Sequence, residues 1–308
     1  MNRLLVVGEG MVEFKYAADG NLIQKFAGDT LNAGIYAKRW SPATDVSYYS
    51  ALGSDIFSQK MRAYLMHEQI TTQAVLQSSN ANIGIYAIQT DEGGERSFTY
   101  WRKESAATQM VDLLLASGGA ALLPTADIVF FSGISLAILT DANKSKLLEI
   151  LQQVQAQGCK IAFDPNYRPR MWRDQQHAIE WIEKAYQLAD IALPGLDEHQ
   201  DLFSHNTVDA VKNYLLQLGT NEFVIKAGMQ GVYGYSAAED DCHVSFNPAP
   251  NQLDSTAAGD SFAGTYLVSR IIGNSVLQAI NNADSVAREV VQHPGAIMDA
   301  HLYQQAFK

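Results

Sequence analysis

Ile128-Val129-Phe130-Phe131-Ser132-Gly133 is apolar at every position until it ends in serine and glycine. A strand that is apolar on both of its alternating sides has both faces covered. The chain beyond it keeps one rhythm. Helical spacing covers about 143–157, and Lys160-Ile161-Ala162-Phe163-Asp164 reads as a second buried strand. A helix follows over about 174–188, Ile191-Ala192-Leu193 is a third strand, a helix covers about 209–218, and Phe223-Val224-Ile225-Lys226 is a fourth strand. Strands alternating with helices of about three turns predict βαβ units, hence an α/β fold with a doubly wound, mostly parallel sheet flanked by helices.

The amino-terminal part adds to that body and departs from it. Leu4-Leu5-Val6-Val7, closed by Gly8, has the same buried-strand character, and helices over 31–40 and 56–69 flank a strand over 46–51. Met11-Val12-Glu13-Phe14-Lys15-Tyr16 instead alternates apolar with polar, the period of a strand with one wet face. Asp19-Gly20-Asn21 is a turn, and Leu22-Ile23-Gln24-Lys25-Phe26 returns. Gly84-Ile85-Tyr86-Ala87-Ile88-Gln89-Thr90 and Arg96-Ser97-Phe98-Thr99-Tyr100-Trp101 repeat the pattern around the turn Asp91-Glu92-Gly93-Gly94-Glu95. The segments 11–26 and 84–101 are therefore expected to form a small sheet standing off one domain that spans 1–308. No internal repeat, linker or low-complexity stretch interrupts the chain.

The composition bounds the function. The 308 residues are 47% hydrophobic and 18% charged, enough apolar matter for a large core. The net charge is −11, with no run of Lys or Arg, which argues against nucleic acid as a partner. An anion site must then be built locally from a few cations and backbone N–H groups. Cys159 and Cys242 stand far apart without spaced partners, so they are expected to be plain thiols, neither a zinc site nor a disulfide. The seven histidines show no metal-ligand spacing. The first apolar run is four residues long, too short for a signal peptide or a membrane span, and a cytoplasmic protein without membrane association is expected.

The chemistry concentrates in Asp254-Ser255-Thr256-Ala257-Ala258-Gly259-Asp260-Ser261-Phe262-Ala263-Gly264. Small residues run into an amphipathic stretch at 262–272, a loop opening a helix. A helix mouth offers unpaired N–H donors and partial positive charge, suited to phosphate or to charge on a phosphoryl in flight. Ala257, Ala258 and Gly259 are small enough for their N–H groups to close on such an anion. Asp260 stands either as the base for an attacking alcohol or as a helix cap. The Walker A pattern is absent.

That stretch resembles the carboxyl-terminal signature of the PfkB, or ribokinase-like, carbohydrate kinases, usually Asp-Thr-x-Gly-Ala-Gly-Asp-x-Phe, with Ala257 where glycine is commonest. Phe26-Ala27-Gly28-Asp29-Thr30-Leu31-Asn32-Ala33 resembles the family's Gly-Gly-Asp/Asn-x-x-Asn-x-Ala segment, with Ala27 replacing the first glycine. The two lie in the expected order, and the likeness covers nearly the whole chain. The anion hole is expected to survive the change at Ala257 provided that this residue needs no positive φ. Gly28-Asp29-Thr30-Leu31-Asn32, the stretch 93–102 and Phe163-Asp164-Pro165-Asn166-Tyr167-Arg168 are most similar to the branch acting on the sugar acid 2-keto-3-deoxygluconate.

The resemblance implies a roster of roles. The small sheet becomes a substrate lid and a pairing surface between subunits of a homo-oligomer. Asp260 is the catalytic base, and Ala257, Ala258 and Gly259 hold the transferring group. Gly28, Asp29, Asn32, Tyr86, Tyr100, Arg102 and Arg168 hold the sugar acid. The two arginines suit its carboxylate, and Arg168 follows the carboxyl end of a core strand, where ligands of open α/β sheets bind. ATP with Mg²⁺ is the expected phosphoryl donor, met by Asn166, Lys226, Gly228, Gly231, Ala258, Gly259 and Asn282, with Ala283 and Val286 as an adenine wall. Leu193-Pro194-Gly195-Leu196-Asp197-Glu198 resembles the family's Asn-x-x-Glu element with glycine in the Asn place. Glu198 is left as either an outer, water-mediated partner of Mg²⁺ or a first-turn helix carboxylate. A kinase of a neutral sugar such as fructose or ribose, and a sensor without catalysis, are the alternatives.

Overall fold

Alternate residues of a buried strand point to opposite faces, and in this chain each face finds its own set of helices. The computed structural model describes residues 2–16, 20–90 and 96–307. The expected turns at 19–21 and 91–95 therefore fall wholly or partly outside the described residues.

The large sheet has nine strands. From one edge they run β13 (Glu239–Val244), β12 (Val232–Ser236), β11 (Glu222–Lys226), β10 (Ile191–Ala192), β9 (Lys160–Asp164), β8 (Ile128–Ser132), β1 (Arg3–Val7), β4 (Asp45–Leu52) and β5 (Val75–Gln77). All neighbours from β11 to β5 pair in parallel, and only β11–β12 and β12–β13 are antiparallel. β12 follows β11 through a turn with Gly228 and Gly231 at positive φ and pairs back on it as a hairpin. β5 and β13, at the two edges, lacked a clear periodic signal.

Leu4, Val6, Ile128, Phe130 and Ala162 face one layer, formed by α1 (Asp29–Trp40), α2 (Ile56–His67), α9 (Ala258–Ile271) and α10 (Val276–Val290). Leu5, Val7, Val129, Phe131, Ile161 and Phe163 face the other. That layer holds α3 (Met110–Ser117), α4 (Gly133–Ala137), α5 (Asp141–Gln155), α6 (Gln175–Leu188), α7 (Leu196–Phe203) and α8 (Val208–Gln217). A last helix, α11 (Ala300–Ala306), packs Tyr303 on Tyr36 of α1. This is the doubly wound arrangement expected from the apolar strands. The chain order reverses at β1, which lies between β8 and β4, and such a switch point opens a crevice at the carboxyl ends of the strands.

The second sheet runs β3 (Leu22–Ala27), β2 (Met11–Tyr16), β6 (Gly84–Thr90) and β7 (Arg96–Trp101). Each expected strand pair is an antiparallel hairpin, and the two join through parallel β2–β6 pairing. One face carries Val12, Phe14 and Ile85 onto α2 and the body. The other carries Met11, Tyr86 and Ile88 and turns toward the crevice.

α1 and α9 cross at backbone contact. A Cβ added to Gly264 would fall 1.9 Å from the carbonyl oxygen of Ala33, so no other residue fits there without separating the helices. Their amino termini consequently open side by side into the crevice.

Candidate active site

The crevice encloses about 940 Å³. Apart from the small sheet, the walls come from segments that leave a strand's carboxyl end or enter a helix. β9 ends in Asp164, and Asn166 and Arg168 follow it. β10 leads to Gly195 and Glu198, β11 ends in Lys226, and α1 brings Asp29 and Asn32. α9 brings Ala258, Gly259 and Asp260, and Tyr86, Tyr100 and Arg102 come from the small sheet.

Asp260 lies in the first turn of α9 and is partly buried. Its Oδ2 accepts from Asn32 Nδ2 at 2.8 Å, across the α1–α9 contact. Among the described residues, its Oδ1 accepts no hydrogen bond and is free to meet a ligand. Burial pushes the Asp260 carboxyl up to about 7, helped by the charges of Asp29 and Asp164 and opposed by the Asn32 bond and by Arg168. A carboxylate with that proton affinity is matched to taking a proton near neutral pH. It caps nothing: the side chain makes no bond to the helix's own N–H groups.

The helix starts at Ala258, earlier than the amphipathic stretch suggested, and Ala257 precedes it at φ 61°, ψ 15°. The proviso attached to this residue is therefore not met, since Ala257 does adopt the left-handed conformation. A left-handed residue followed by a right-handed helix aims successive N–H groups into one concavity. The Ala258 N–H closes the turn onto Ser255 O at 3.2 Å. Among the described residues, the N–H groups of Ala257, Gly259 and Asp260 have no acceptor. The donor set at the helix mouth thus shifts from 257–259 to 257, 259 and 260, because the turn that sets Ala257 spends the Ala258 donor.

Asp164 is the hub of the opposite wall. Its Oδ1 accepts the Asn166 N–H at 3.1 Å and its Oδ2 accepts Lys226 Nζ at 2.7 Å. Burial alone would lower the Lys226 pKa, but Asp164 and Glu198 outweigh it and the net shift is upward, so the ammonium stays charged. A Cβ on Gly259 would lie 4.0 Å from Lys226 Nζ, which places that cation beside the helix mouth. Asn166 sits at φ 35° and donates Nδ2 to Asp29 Oδ2 at 2.8 Å, tying the end of β9 to the first turn of α1. Glu198 accepts the N–H groups of Gly195 (2.9 Å) and Tyr167 (2.8 Å), so its first-turn role is present while its carboxylate also lines the crevice. Burial and the Asp164 charge push Glu198 up to about 7 as well.

The arginines differ. Arg102 gives Nε to the buried Glu9 at 2.7 Å. Exposed Arg168 gives Nη1 to the carbonyl of Tyr167 and, among the described residues, meets no carboxylate within ion-pair distance. Tyr86 spends its phenol on buried Glu13 and presents its ring to the crevice, stacked on Tyr100 at 5.7 Å between centroids. Gly28 and Gly228 line the crevice. Gly231, at φ 89°, shapes the turn after β11 without lining it. Asn282 donates to Ser269 at 3.2 Å, Ala283 and Val286 are fully buried, and none of the three borders the crevice.

The model of the pfkB family carbohydrate kinases matches residues 1–301. The chain belongs to that family. The kinase is 35% identical over 300 residues to the 2-dehydro-3-deoxygluconokinase of Escherichia coli K12, covering 96% of this chain and 97% of that one. It is 36% identical over 299 residues to the enzyme of the same name from Dickeya dadantii, covering 96% of each. Among solved structures, a putative ribokinase II from E. coli in complex with ATP and Mg²⁺ superposes with a TM-score of 0.81 at 21% identity over 99% of both chains, a likeness of fold.

Sequence reasoning assigned no role to Glu9, Glu13 and Asp164, the carboxylates that hold Arg102, Tyr86 and Lys226. Two of them carry a usable signal: Glu9 follows β1 and Asp164 ends β9, carboxyl ends of core strands like the one that Arg168 follows. Glu13 looked like an ordinary wet-face residue of an alternating strand.

A left-handed alanine costs roughly 1–2 kcal/mol that glycine avoids, part of which glycine returns through its freer unfolded state. Ala257→Gly is therefore expected to raise stability by about 0.5–1 kcal/mol. Ala258→Gly, at the first helical position, should instead lower it by about 0.5 kcal/mol or less. Urea unfolding of both variants checks this, and equal destabilisation would contradict the assigned conformation.

Proposed function

We propose that this kinase transfers the γ-phosphoryl of ATP to the C6 hydroxyl of 2-keto-3-deoxygluconate, forming 2-keto-3-deoxy-6-phosphogluconate. The observation that carries the reaction is Asp260: a carboxylate with one free oxygen and a pKa of about 7, set against unpaired N–H donors at a helix mouth. The substrate rests on the names of the 35–36% identical relatives and on a crevice lined by both Arg102 and Arg168.

In this reading Gly28, Asp29 and Asn32 meet the sugar hydroxyls, and the Tyr86 and Tyr100 rings cover them. The small sheet acts as the lid that keeps water from the donor. Asp260 Oδ1 takes the proton of the C6 hydroxyl as its oxygen attacks phosphorus. The N–H groups of Ala257, Gly259 and Asp260, with Lys226, stabilise charge on the moving phosphoryl. Gly228 and the turn after β11 flank the triphosphate.

Mg²⁺ fits this site as a hydrated ion. Both oxygens of Glu198 and of Asp164 already accept hydrogen bonds, and among the described residues no three His, Cys, Asp or Glu side chains form a cage. Mg²⁺ keeps several waters and leans on phosphate oxygens, with Glu198 reached through water. When bound it would neutralise phosphate charge.

The lid's crevice-side face also carries Ile23, Ile88 and Phe98 in one cross-strand row through Lys15. Ile23 and Phe98 are each 42% exposed. Such an apolar row suits a second copy of the chain, so a dimer is expected.

In a coupled ADP assay, 2-keto-3-deoxygluconate should outperform gluconate, fructose and ribose. Arg168→Ala should raise KM for the acid by roughly 10-fold or more while sparing KM for ATP. Equal turnover of fructose and the acid would end the substrate reading. Because the deprotonated form is the base, kcat/KM should rise with pH through an apparent pKa of about 7 and then level off. Asp260→Asn should cut kcat by roughly 10²–10⁴-fold without loss of ATP binding; a flat profile between acid and neutral pH would remove Asp260 from that role. Light scattering should return twice the chain mass, and a monomer would sink the dimer alone.

A further inference from the structure

We propose that Glu9 is a positioning residue for sugar-acid recognition, holding the Nε/Nη2 edge of the Arg102 guanidinium so that Nη1 is presented to the crevice. This rests on the acidic-substrate reading above.

A guanidinium has two forks for carboxylates, the side pair Nε/Nη2 and the end pair Nη1/Nη2. Glu9 occupies the side pair: its Oε2 accepts Nε at 2.7 Å and forms the ion pair with Nη2. Its Oε1 accepts the hydroxyl of Ser105. Of the end pair, Nη1 alone is left open. Among the described residues, Nη1 meets no acceptor but Met171 Sδ at 3.7 Å, a weak one, whereas Nη2 is buried against Glu9. Arg102 itself lines the crevice.

The anchor is rigid. Glu9 is 1% exposed and follows β1, and its Oε1 packs against Gly84, where an added Cβ would fall 2.6 Å from it. Burial raises its pKa, against the opposing pull of Arg102 and Ser105. Arg102 follows β7, so the pair also ties the end of the lid to the body. Without Glu9 the long arginine side chain regains rotamer freedom, which each incoming acid must then remove. The loss falls on binding of the acid and spares the phosphoryl-transfer step.

The test is a double-mutant cycle on the full chain, with Glu9→Ala, Glu9→Gln, Arg102→Ala and the Glu9→Ala/Arg102→Ala pair. KM for 2-keto-3-deoxygluconate, KM for ATP, kcat and Tm are measured for each. Glu9→Ala should raise KM for the acid roughly ten-fold and leave kcat and KM for ATP within about two-fold. Glu9→Gln should raise it by roughly three-fold, because the amide oxygen still accepts from Arg102, and this variant decides if Glu9→Ala fails to fold. The double variant should be no worse than Arg102→Ala alone, as expected of a residue acting only through its partner. The proposal is overturned if Glu9 substitutions leave KM for the acid unchanged, if the two effects multiply, or if kcat and both KM values shift together. A wild-type enzyme that does not turn over the acid overturns the substrate reading and this proposal with it. Turnover with an unaltered KM in the Glu9 variants overturns this proposal alone.

Discussion

The site exists because α1 and α9 touch. Gly264 packs so closely on the Ala33 carbonyl that a methyl group would lie 1.9 Å from the oxygen, and the two helix mouths therefore share one opening. That contact lets Asn32 reach Asp260 over 2.8 Å although 228 residues separate them in the chain. A wider separation would leave Asp260 without its orienting donor and the helix mouth without a wall. The parallel sheet contributes the rest, since β8, β9, β10 and β11 deliver their carboxyl ends to the same crevice.

That convergence crowds like charges. Asp29, Asp164, Glu198 and Asp260 line one cavity, with Lys226, Arg102 and Arg168 as the cations on its walls. Burial and mutual repulsion raise Asp260 and Glu198 to about 7. Both carboxyls hold protons more tightly folded than unfolded, so ionising them as pH rises from about 4 toward 7 costs stability. An apolar or fully paired cavity would be more stable, and it would hold no carboxylate with a proton affinity near neutral pH. Lys226 keeps its charge because two carboxylates outweigh its burial, and that charge stands beside the place where a phosphoryl would pass.

Departures from the family pattern find local explanations. Ala257 takes a left-handed conformation that glycine adopts freely, and the site retains its open N–H groups at the cost of that strain. At Gly195, a side chain would begin 2.5 Å from Asp197 Oδ1 and 3.0 Å from Glu198 Oε2, so the glycine leaves room for both carboxylates. The supporting layer behind the ligand-facing groups follows one plan. Glu9 holds Arg102, Glu13 holds Tyr86 and Asp164 holds Lys226, and each is a buried carboxylate on a residue that faces the crevice.

The amino-acid sequence by itself determined the two-layer body and the two hairpins, because burial on one or both sides of a strand is written as period two or as an unbroken apolar run. It also determined the helix mouth at Asp260, because a row of small residues before an amphipathic stretch has few other uses. Edge strands β5 and β13 escaped, since short, half-exposed edges carry little periodicity. Only the tertiary structure decided which donors and acceptors are already spent. The phenol of Tyr86, one fork of Arg102 and the ammonium of Lys226 are each taken by a partner that no spacing rule connects to them. Hydrogen-bond partners across a fold depend on distances between segments remote in sequence, and those distances are fixed only when the helices and strands pack.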